Sequence, residues 1–153
     1  MAVMTRWLDQ DEQRTWRAFL AASRGLMDAL DRELQRDAGM PHAYYEILAR
    51  LSEAPERALR MSELADATGS SRSRLSHAVA RLESAGWVRR EECPTDRRGQ
   101  VARLTDAGFA TLAAAAPGHV EGVRRHLFDA LTPAQVDQLR RISESLVEHL
   151  TGS

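Results

Sequence analysis

The chain of 153 residues has no lysine, a single cysteine and no long apolar run. One cysteine cannot form an internal disulfide, which excludes a disulfide-stapled fold and agrees with a reducing compartment. No segment approaches the roughly 20 apolar residues of a membrane-spanning helix, and residues 1–7 lack the apolar centre of a signal peptide. The sequence therefore predicts a cytoplasmic protein without a membrane span.

Motifs that carry enzyme chemistry are also missing. The sequence holds no glycine-rich phosphate loop, no nucleophile elbow and no paired carboxylates in a recognisable catalytic setting. His119 and His126 could share one helix face, but they lie seven residues apart across Pro117, which argues against a zinc site. We therefore expect no enzyme activity, no metal and no cofactor.

Positive charge is distributed unevenly along the chain. The net charge is −1 and the length is that of about one domain. Residues 70–103 nevertheless contain eight arginines and only four acidic residues. Phosphate affinity comes from cationic side chains, so this segment is where a DNA-binding surface is expected. We attribute the absence of lysine to the codon bias of a GC-rich genome.

The order of elements in Met61–Thr105 is that of a winged helix-turn-helix. Residues 62–68 make barely two helical turns, and Gly69 can take the left-handed conformation that ends them. Ser71 is the expected N-cap of a second helix. Its apolar residues recur at helical spacing and predict one buried stripe: Leu75, Ala78, Val79 and Leu82.

The opposite face of this second helix carries side chains that can read DNA. Donors able to reach base edges and phosphates share one exposed side, as a recognition helix requires. The candidate contacts are Ser71, Arg72, Ser73, Arg74, Ser76, His77 and Arg81. An amphipathic helix whose arginines only confer solubility is the alternative, but the preceding helix and turn favour DNA binding.

A β-hairpin, the wing, is predicted after this helix. Gly86 ends the helix, residues 87–92 form an extended run, and residues 100–104 alternate polar with apolar side chains. Pro94 and Gly99 bracket the predicted turn, which is seven residues long from Cys93 to Gly99.

The tip of the wing carries two further arginines and one acid. Arg97 and Arg98 could enter a narrow minor groove, where negative potential is concentrated. Asp96 would be repelled by DNA, so we expect it to hold Arg98 or the turn backbone through hydrogen bonds. A plain turn-forming role for Asp96 remains the alternative.

Amphipathic helices are predicted on both sides of this unit. They cover about residues 11–37, a stretch opened by Pro41, a stretch capped by Thr105 and a last stretch opened by Thr132–Pro133. Pro117–Gly118 predicts a kink or break in the third of them. Ala54–Arg57 is predicted to be a short loop.

The predicted fold class is mainly α, with a winged helix-turn-helix at about residues 41–105 of a single domain. The winged unit offers no partner for the apolar stripes of the first and last helices. Residues 11–38 and 106–151 are therefore expected to form a dimerisation region with a second copy of the chain.

Several motifs of this sequence resemble the MarR family of transcription regulators. The Asp-x-Arg wing followed by Leu-Thr and a helix is the sharpest of them, and the flanking helices match in order and length. The segments that carry the resemblance are Met61–Ala65, Ser71–Ser73, Arg81–Gly86, Asp96–Gly99 and Leu104–Gly108.

The resemblance implies a homodimer that binds a pseudo-palindromic operator in double-stranded DNA. Such proteins are usually repressors released by a small lipophilic or phenolic effector, and activation would use the same surface. By the same resemblance, Asp96 and Arg98 take wing roles while Arg74 and His77 face the major groove. The candidate effector-binding residues are Trp16, His42, Tyr44 and Tyr45, for which ordinary core packing is the alternative.

Two other functions stay open at this point. A winged helix can serve protein interaction, although such a domain would not need arginines on both the recognition helix and the wing. Cys93 could make the protein redox-responsive, since nearby arginines lower a thiol pKa while nearby acids raise it.

Overall fold

A computed structural model describes residues 4–152, with the exception of the Arg97 side chain. The elements in this part of the chain are α1 (Gln10–Ala38), α2 (His42–Glu53), β1 (Ala58–Arg60), α3 (Met61–Thr68), α4 (Arg72–Ser84), β2 (Val88–Cys93), β3 (Asp96–Leu104), α5 (Asp106–His126) and α6 (Pro133–Thr151). This architecture agrees with the predicted class of a mainly helical winged helix-turn-helix. None of the described helices is both apolar and long enough to cross a bilayer.

The chain divides into two compact units. The central unit is formed by Asp31–Gly122, and the terminal unit by the segments up to Leu30 and from Val123 onward. The central unit contains α2, α3, α4 and the sheet, whereas the terminal unit contains most of α1 and all of α6.

The predicted helix boundaries depend on caps that the structure confirms. Gly69 takes a left-handed conformation, with φ of 61°, and ends α3. The Ser71 hydroxyl accepts a hydrogen bond from the Arg74 backbone N–H at the start of α4. Thr132 and Gln135 form a reciprocal capping box at the start of α6.

The sheet is small and antiparallel, in the order β1-β3-β2. Strand β1 differs from the sequence-based expectation, which places a short loop at Ala54–Arg57 and no strand after it. A 3₁₀ turn at Pro55–Arg57 leads instead into three residues that pair with β3. Glu56 and Arg57 both have positive φ in this turn. Arg103 Nη1 donates to the Glu56 carbonyl at 2.9 Å and so stabilises it.

The wing turn is shorter than predicted. Strand β3 already begins at Asp96 and Cys93 pairs with Asp96, so that only Pro94 and Thr95 form the turn. The ladder is irregular between Glu92 and Cys93. Such an irregularity lets a strand bend while pairing continues, which a reading of turn residues alone does not show.

Of the kink or break predicted at Pro117–Gly118, the break is wrong, because α5 is a continuous helix throughout Asp106–His126 with Pro117 inside it. Proline fixes φ near the helical value and removes one N–H donor, at a cost of about 3 kcal/mol. The run of four alanines at residues 113–116 has the highest helix propensity and favours continuation. Leu112 is buried in the core of the central unit and anchors the same helix.

The core of the central unit holds the DNA-reading elements together. Buried side chains from the helices and from the sheet form one cluster, to which Tyr45 on α2, Val88 on β2 and Ala102 on β3 belong. The most buried large residues are Met40, Leu48, Leu51, Leu64, Leu75, Val79 and Leu82. Burial of this size fixes the rotation of α3 and α4 about their axes, and therefore also the faces they expose.

Candidate DNA interface

The recognition helix α4 is oriented by its buried stripe. Leu75, Val79 and Leu82 are almost completely inaccessible, and Ala78 packs against the same core. The opposite face is consequently exposed over more than two turns. Its exposed side chains are Ser71, Arg72, Ser73, Arg74, His77 and Arg81.

Ser76 differs from the other predicted contacts on this helix. It is only half-exposed, and its hydroxyl accepts a hydrogen bond from Arg90 Nη1 at 3.3 Å. Arg90 comes from β2, the extended run that the sequence predicts, but the sequence pattern does not indicate this contact. A helical position and a strand position meet here although fourteen residues separate them.

The wing turn is built around Asp96. Its Oδ1 atom accepts a hydrogen bond from the Arg98 backbone N–H at 3.0 Å, which confirms that this acid holds the turn backbone. The side chains of Asp96 and Arg98 are exposed. Arg60 Nη2 donates to Thr95 Oγ1 at 2.8 Å and ties the turn to the start of α3. The Arg97 side chain lies outside the described residues.

A cleft separates the recognition helix from the wing. Its volume is about 460 Å³, and it brings predicted contacts from both elements together. Sequence reasoning missed Arg60, which lies at the edge of this cleft, because β1 was not recognised. The charged and polar lining residues are Arg60, Ser62, Arg72, Ser76, Asp96, Arg98 and Gln100.

Ion pairs sort the arginines of this segment into two groups. Arg90 pairs with Glu83, while Arg89 and Arg103 both pair with Glu91. The hydrogen bond from Arg103, followed by that from Arg89, lowers the pKa of Glu91. Among the described residues, no ion pair involves the arginines of the helix face and wing, which are Arg72, Arg74, Arg81 and Arg98. Uncompensated positive charge therefore lies where DNA would bind.

The structure brings together some of the candidate effector-binding residues. In the central unit, the His119 ring lies 4.2 Å from the Tyr45 ring and 5.5 Å from the His42 ring, centroid to centroid. Tyr44 packs against the core beside them. Trp16 belongs to the terminal unit, where it is half-exposed.

His119 is the member of this cluster that sequence reasoning did not assign to it. Its Nδ1 atom is buried and has no hydrogen-bond partner among the described residues. Burial lowers the pKa of His119, and the His42 imidazole acts in the same direction. The sequence pattern does not place this histidine beside His42 and Tyr45 of α2, because that position depends on the continuous course of α5.

Cys93 lies at the turn end of the wing, where it pairs with Asp96. Its side chain is 6% exposed, and its sulfur lies 3.4 Å from Thr95 Oγ1. Hydrogen bonds from the Thr95 side chain and backbone lower the pKa of the thiol. The hydrogen bonds from this threonine thus affect the pKa of the thiol more than the neighbouring charged side chains do. Burial withholds the sulfur from bulky oxidants in this conformation.

Comparison of sequences finds relatives among transcription regulators. A model of the MarR family matches residues 38–99. The transcriptional repressor MprA of Escherichia coli is 30% identical over 112 residues, which cover 73% of this chain and 63% of that protein. The HTH-type transcriptional regulator PecS of Dickeya dadantii is 34% identical over 114 residues, 71% of this chain and 66% of PecS. The chain thus spans less than two thirds of these relatives.

Comparison of structures gives matches over almost the whole chain. A MarR family transcriptional regulator from Streptomyces coelicolor, solved in complex with DNA, has a TM-score of 0.93 and 55% identity. The match covers 98% of this chain and 94% of that one. AbsC, a second MarR family regulator from Streptomyces coelicolor, has a TM-score of 0.91 and 46% identity over 97% of this chain and 100% of AbsC. On these similarities, the chain belongs to the MarR family of winged helix-turn-helix transcription regulators.

Proposed function

We propose that the protein is a sequence-specific DNA-binding repressor of transcription. The observation that carries the proposal is the unpaired arginine surface, which extends from the exposed face of α4 to Arg98 on the wing. One element of this surface fits a major groove and the other an adjacent minor groove. The similar protein from Streptomyces coelicolor was solved with DNA, and the relative MprA is named a repressor. A repressor of this kind acts in the cytoplasm.

The DNA-binding form is proposed to be a homodimer. Large apolar side chains of the terminal unit are exposed, among them Trp16 on α1 and a row along α6. Exposed patches of this kind mark interaction surfaces. A two-fold axis through them would place two recognition helices about 34 Å apart, in successive major grooves of a pseudo-palindromic operator. The exposed α6 residues are Leu139, Ile142, Leu146, Val147 and Leu150.

Release by a small lipophilic or phenolic effector is part of the proposal. Tyr45, His42 and Tyr44 offer apolar bodies with polar tips in the central unit, as a phenolic ligand requires. In the terminal unit, Trp16 is one turn from Phe19, which lines an apolar cavity of about 540 Å³. Quenching of tryptophan fluorescence by a library of phenolic compounds would be repeated with Tyr45→Phe and Phe19→Ala. The variant that weakens binding would show whether the ligand binds beside Tyr45 in the central unit or in the cavity that Phe19 lines.

The experiment that tests the function is selection of bound sequences from random duplex DNA with the purified protein. We expect a pseudo-palindrome whose half-sites are about 10 base pairs apart, centre to centre. Arg74→Ala should then relax preference at one base position in each half-site and cost about 1–3 kcal/mol. Arg81→Ala should weaken all sequences evenly and flatten the salt dependence.

Failure to enrich any sequence would overturn the proposal in favour of a protein-interaction winged helix. A redox-responsive repressor using Cys93 is the second candidate, supported by the lowered pKa of its thiol. If this candidate is right, an organic hydroperoxide or hydrogen peroxide weakens DNA binding by the wild type but not by Cys93→Ser. Equal sensitivity of both proteins would remove that candidate.

A further inference from the structure

One guanidinium connects the recognition helix α4 to the first strand of the wing. Arg90 on β2 donates from Nε to Oε1 of Glu83 at 2.6 Å, and from Nη1 to the Ser76 hydroxyl at 3.3 Å. The Arg90 backbone N–H also donates to Oε2 of Glu83 at 3.3 Å. A single carboxylate near the end of α4 thus holds both the backbone and the side chain of Arg90.

This pair is shielded, unlike its neighbour on the same strand. The side chains of Arg90 and Glu83 are 25% and 32% exposed, whereas the side chain of Arg89 is 63% exposed. Charge-assisted hydrogen bonds gain strength as water is excluded, while exposed ion pairs contribute little. The Arg90 contacts therefore fix the position of α4 against β2. The Arg89–Glu91 contact joins two residues of the same strand and contributes little to that position.

The same contact determines how the Ser76 hydroxyl can act. A serine hydroxyl has one hydrogen to donate and lone pairs that accept. Since Arg90 donates to this oxygen, its own hydrogen is left for an acceptor on another side. Ser76 lines the cleft that Arg72 and Arg98 also line, and the oxygens of a DNA phosphate are acceptors.

We propose that Arg90 is a positioning residue for DNA recognition, which sets α4 relative to the wing and presents Ser76 as a donor to a DNA phosphate in the cleft. The inference rests on the proposed function. A protein that reads two grooves at once needs its two reading elements at a fixed separation, because a small displacement breaks one set of contacts while the other forms.

The test compares Arg90→Met with Arg89→Met, which removes the same charge from the adjacent residue of the strand. Binding is titrated on the selected operator and on a scrambled duplex at two salt concentrations. Arg90→Met should lose about tenfold or more on the operator, but no more than Arg89→Met on the scrambled duplex. Arg90→Lys should be intermediate, since lysine can bind Glu83 but lacks the fork that also reaches Ser76.

Coupling to Ser76 gives a second measurement. Ser76→Ala should weaken operator binding in the wild type and have a smaller effect in Arg90→Met, because the hydroxyl is no longer oriented. Circular dichroism and thermal melting check folding. If Arg90→Met does not fold, Glu83→Gln serves instead, since its amide still accepts one hydrogen bond without the charge. It should lose operator preference by a smaller factor.

Three outcomes would contradict the inference in different ways. Equal losses for Arg90→Met and Arg89→Met on both duplexes would mean that Arg90 contributes only charge. An equal loss of Arg90→Met on operator and scrambled DNA, with a flatter salt dependence, would mean that Arg90 itself binds a phosphate. A wild-type protein that prefers no duplex would overturn the proposed function together with the inference.

Discussion

The amphipathic helices α4 and α6 have similar apolar patterns, but the apolar face is buried in α4 and exposed in α6. In α4 the apolar residues Val79 and Leu82 are 0% exposed. In α6 the equivalent stripe is open to solvent, with Ile142 58% exposed and Leu150 73% exposed. Both helices begin with a side-chain cap, so the difference does not concern helix formation. It concerns what each apolar face packs against.

The difference shows that the two helices use their faces for opposite purposes. The apolar face of α4 stabilises the fold, which leaves its arginine face exposed, where DNA binding is proposed. In α6 the polar face is solvated and the apolar face is available for a partner. Apolar surface contributes about 25 cal/mol for each Å² removed from water, so the α6 stripe gains free energy only when a second molecule covers it.

The largest expected effect is on the buried side of this comparison. Leu82→Ala should lower the free energy of unfolding by about 2–5 kcal/mol, because a cavity would form in a close-packed core. Leu150→Ala is the matched control on α6 and should change the free energy of unfolding of the monomer by less than about 0.5 kcal/mol, because its side chain is exposed unless a second copy covers it. Urea denaturation at a protein concentration low enough to favour the monomer measures both. Similar losses for the two variants would mean that α6 is as buried as α4.

The second effect is on assembly rather than on folding. Ile142→Glu places a charge in the exposed stripe of α6 and should convert a dimer into monomers, because burying an unpaired carboxylate is costly. Arg141→Gln, on the opposite face of the helix, changes the net charge by the same amount and should leave the dimer intact. Light scattering at micromolar concentration would decide it. A monomeric wild type would withdraw the homodimer proposal.

Much of the central unit could be predicted from sequence because its signals are local. Gly69 and Ser71 each mark a helix boundary there through their own backbone or side chain, as Thr132 does in the terminal unit. The stripe of α4 follows from spacing alone, and it also determines the exposed arginine face. Residues separated by three to seven positions are enough for all of these inferences.

The parts that sequence reasoning missed depend on contacts between distant residues. The turn before β1 has positive φ at Glu56 and Arg57. Neither residue is a glycine, so the residue types at these positions do not predict the turn. Pairing of Arg90 with Glu83 and Ser76 requires the fold, as does the position of His119 beside α2. Local patterns identified the exposed arginine surface that is proposed to bind DNA, but not the contacts that hold it in place.

A third effect separates recognition from stability within the central unit. Asp96→Ala should weaken operator binding by about 1 kcal/mol or more, because the Arg98 backbone loses its carboxylate partner. Glu92→Ala removes the same charge from the same hairpin and should bind equally well or more tightly. Neither should change the free energy of unfolding as Leu82→Ala does. Tighter binding by Asp96→Ala would mean that Asp96 only forms the turn and repels DNA.

The same experiment can be extended to Arg98. Arg98→Ala should be at least as damaging as Asp96→Ala, since the arginine is the proposed minor-groove contact. The double variant should lose less than the sum of the two, because both residues act as one unit. Additive losses would show that Asp96 and Arg98 act independently.

The smallest expected effect concerns His119, a partly buried residue of the central unit whose Nδ1 atom is buried without a hydrogen-bond partner among the described residues. Burial and the nearby His42 lower the pKa of His119 below its ordinary value of 6.5, against an opposing effect of Glu33. The unfolded chain then binds a proton more readily than the folded one. The contribution of His119 to stability is therefore full above pH 6.5 and is lost as the pH falls from there towards the folded pKa.

His119→Gln should consequently reduce the loss of stability on acidification. A single group changes the free energy of unfolding by at most about 1.4 kcal/mol per pH unit, and only over the pH interval between its unfolded and folded pKa values. Urea denaturation at pH values of about 7.5 and about 5, with His149→Gln on α6 as the control, measures it. Equal losses of stability for His119→Gln and wild type on acidification would mean that the His119 ring is solvated, like the exposed surface of α6. The contrast between a buried and an exposed face would then not apply to His119.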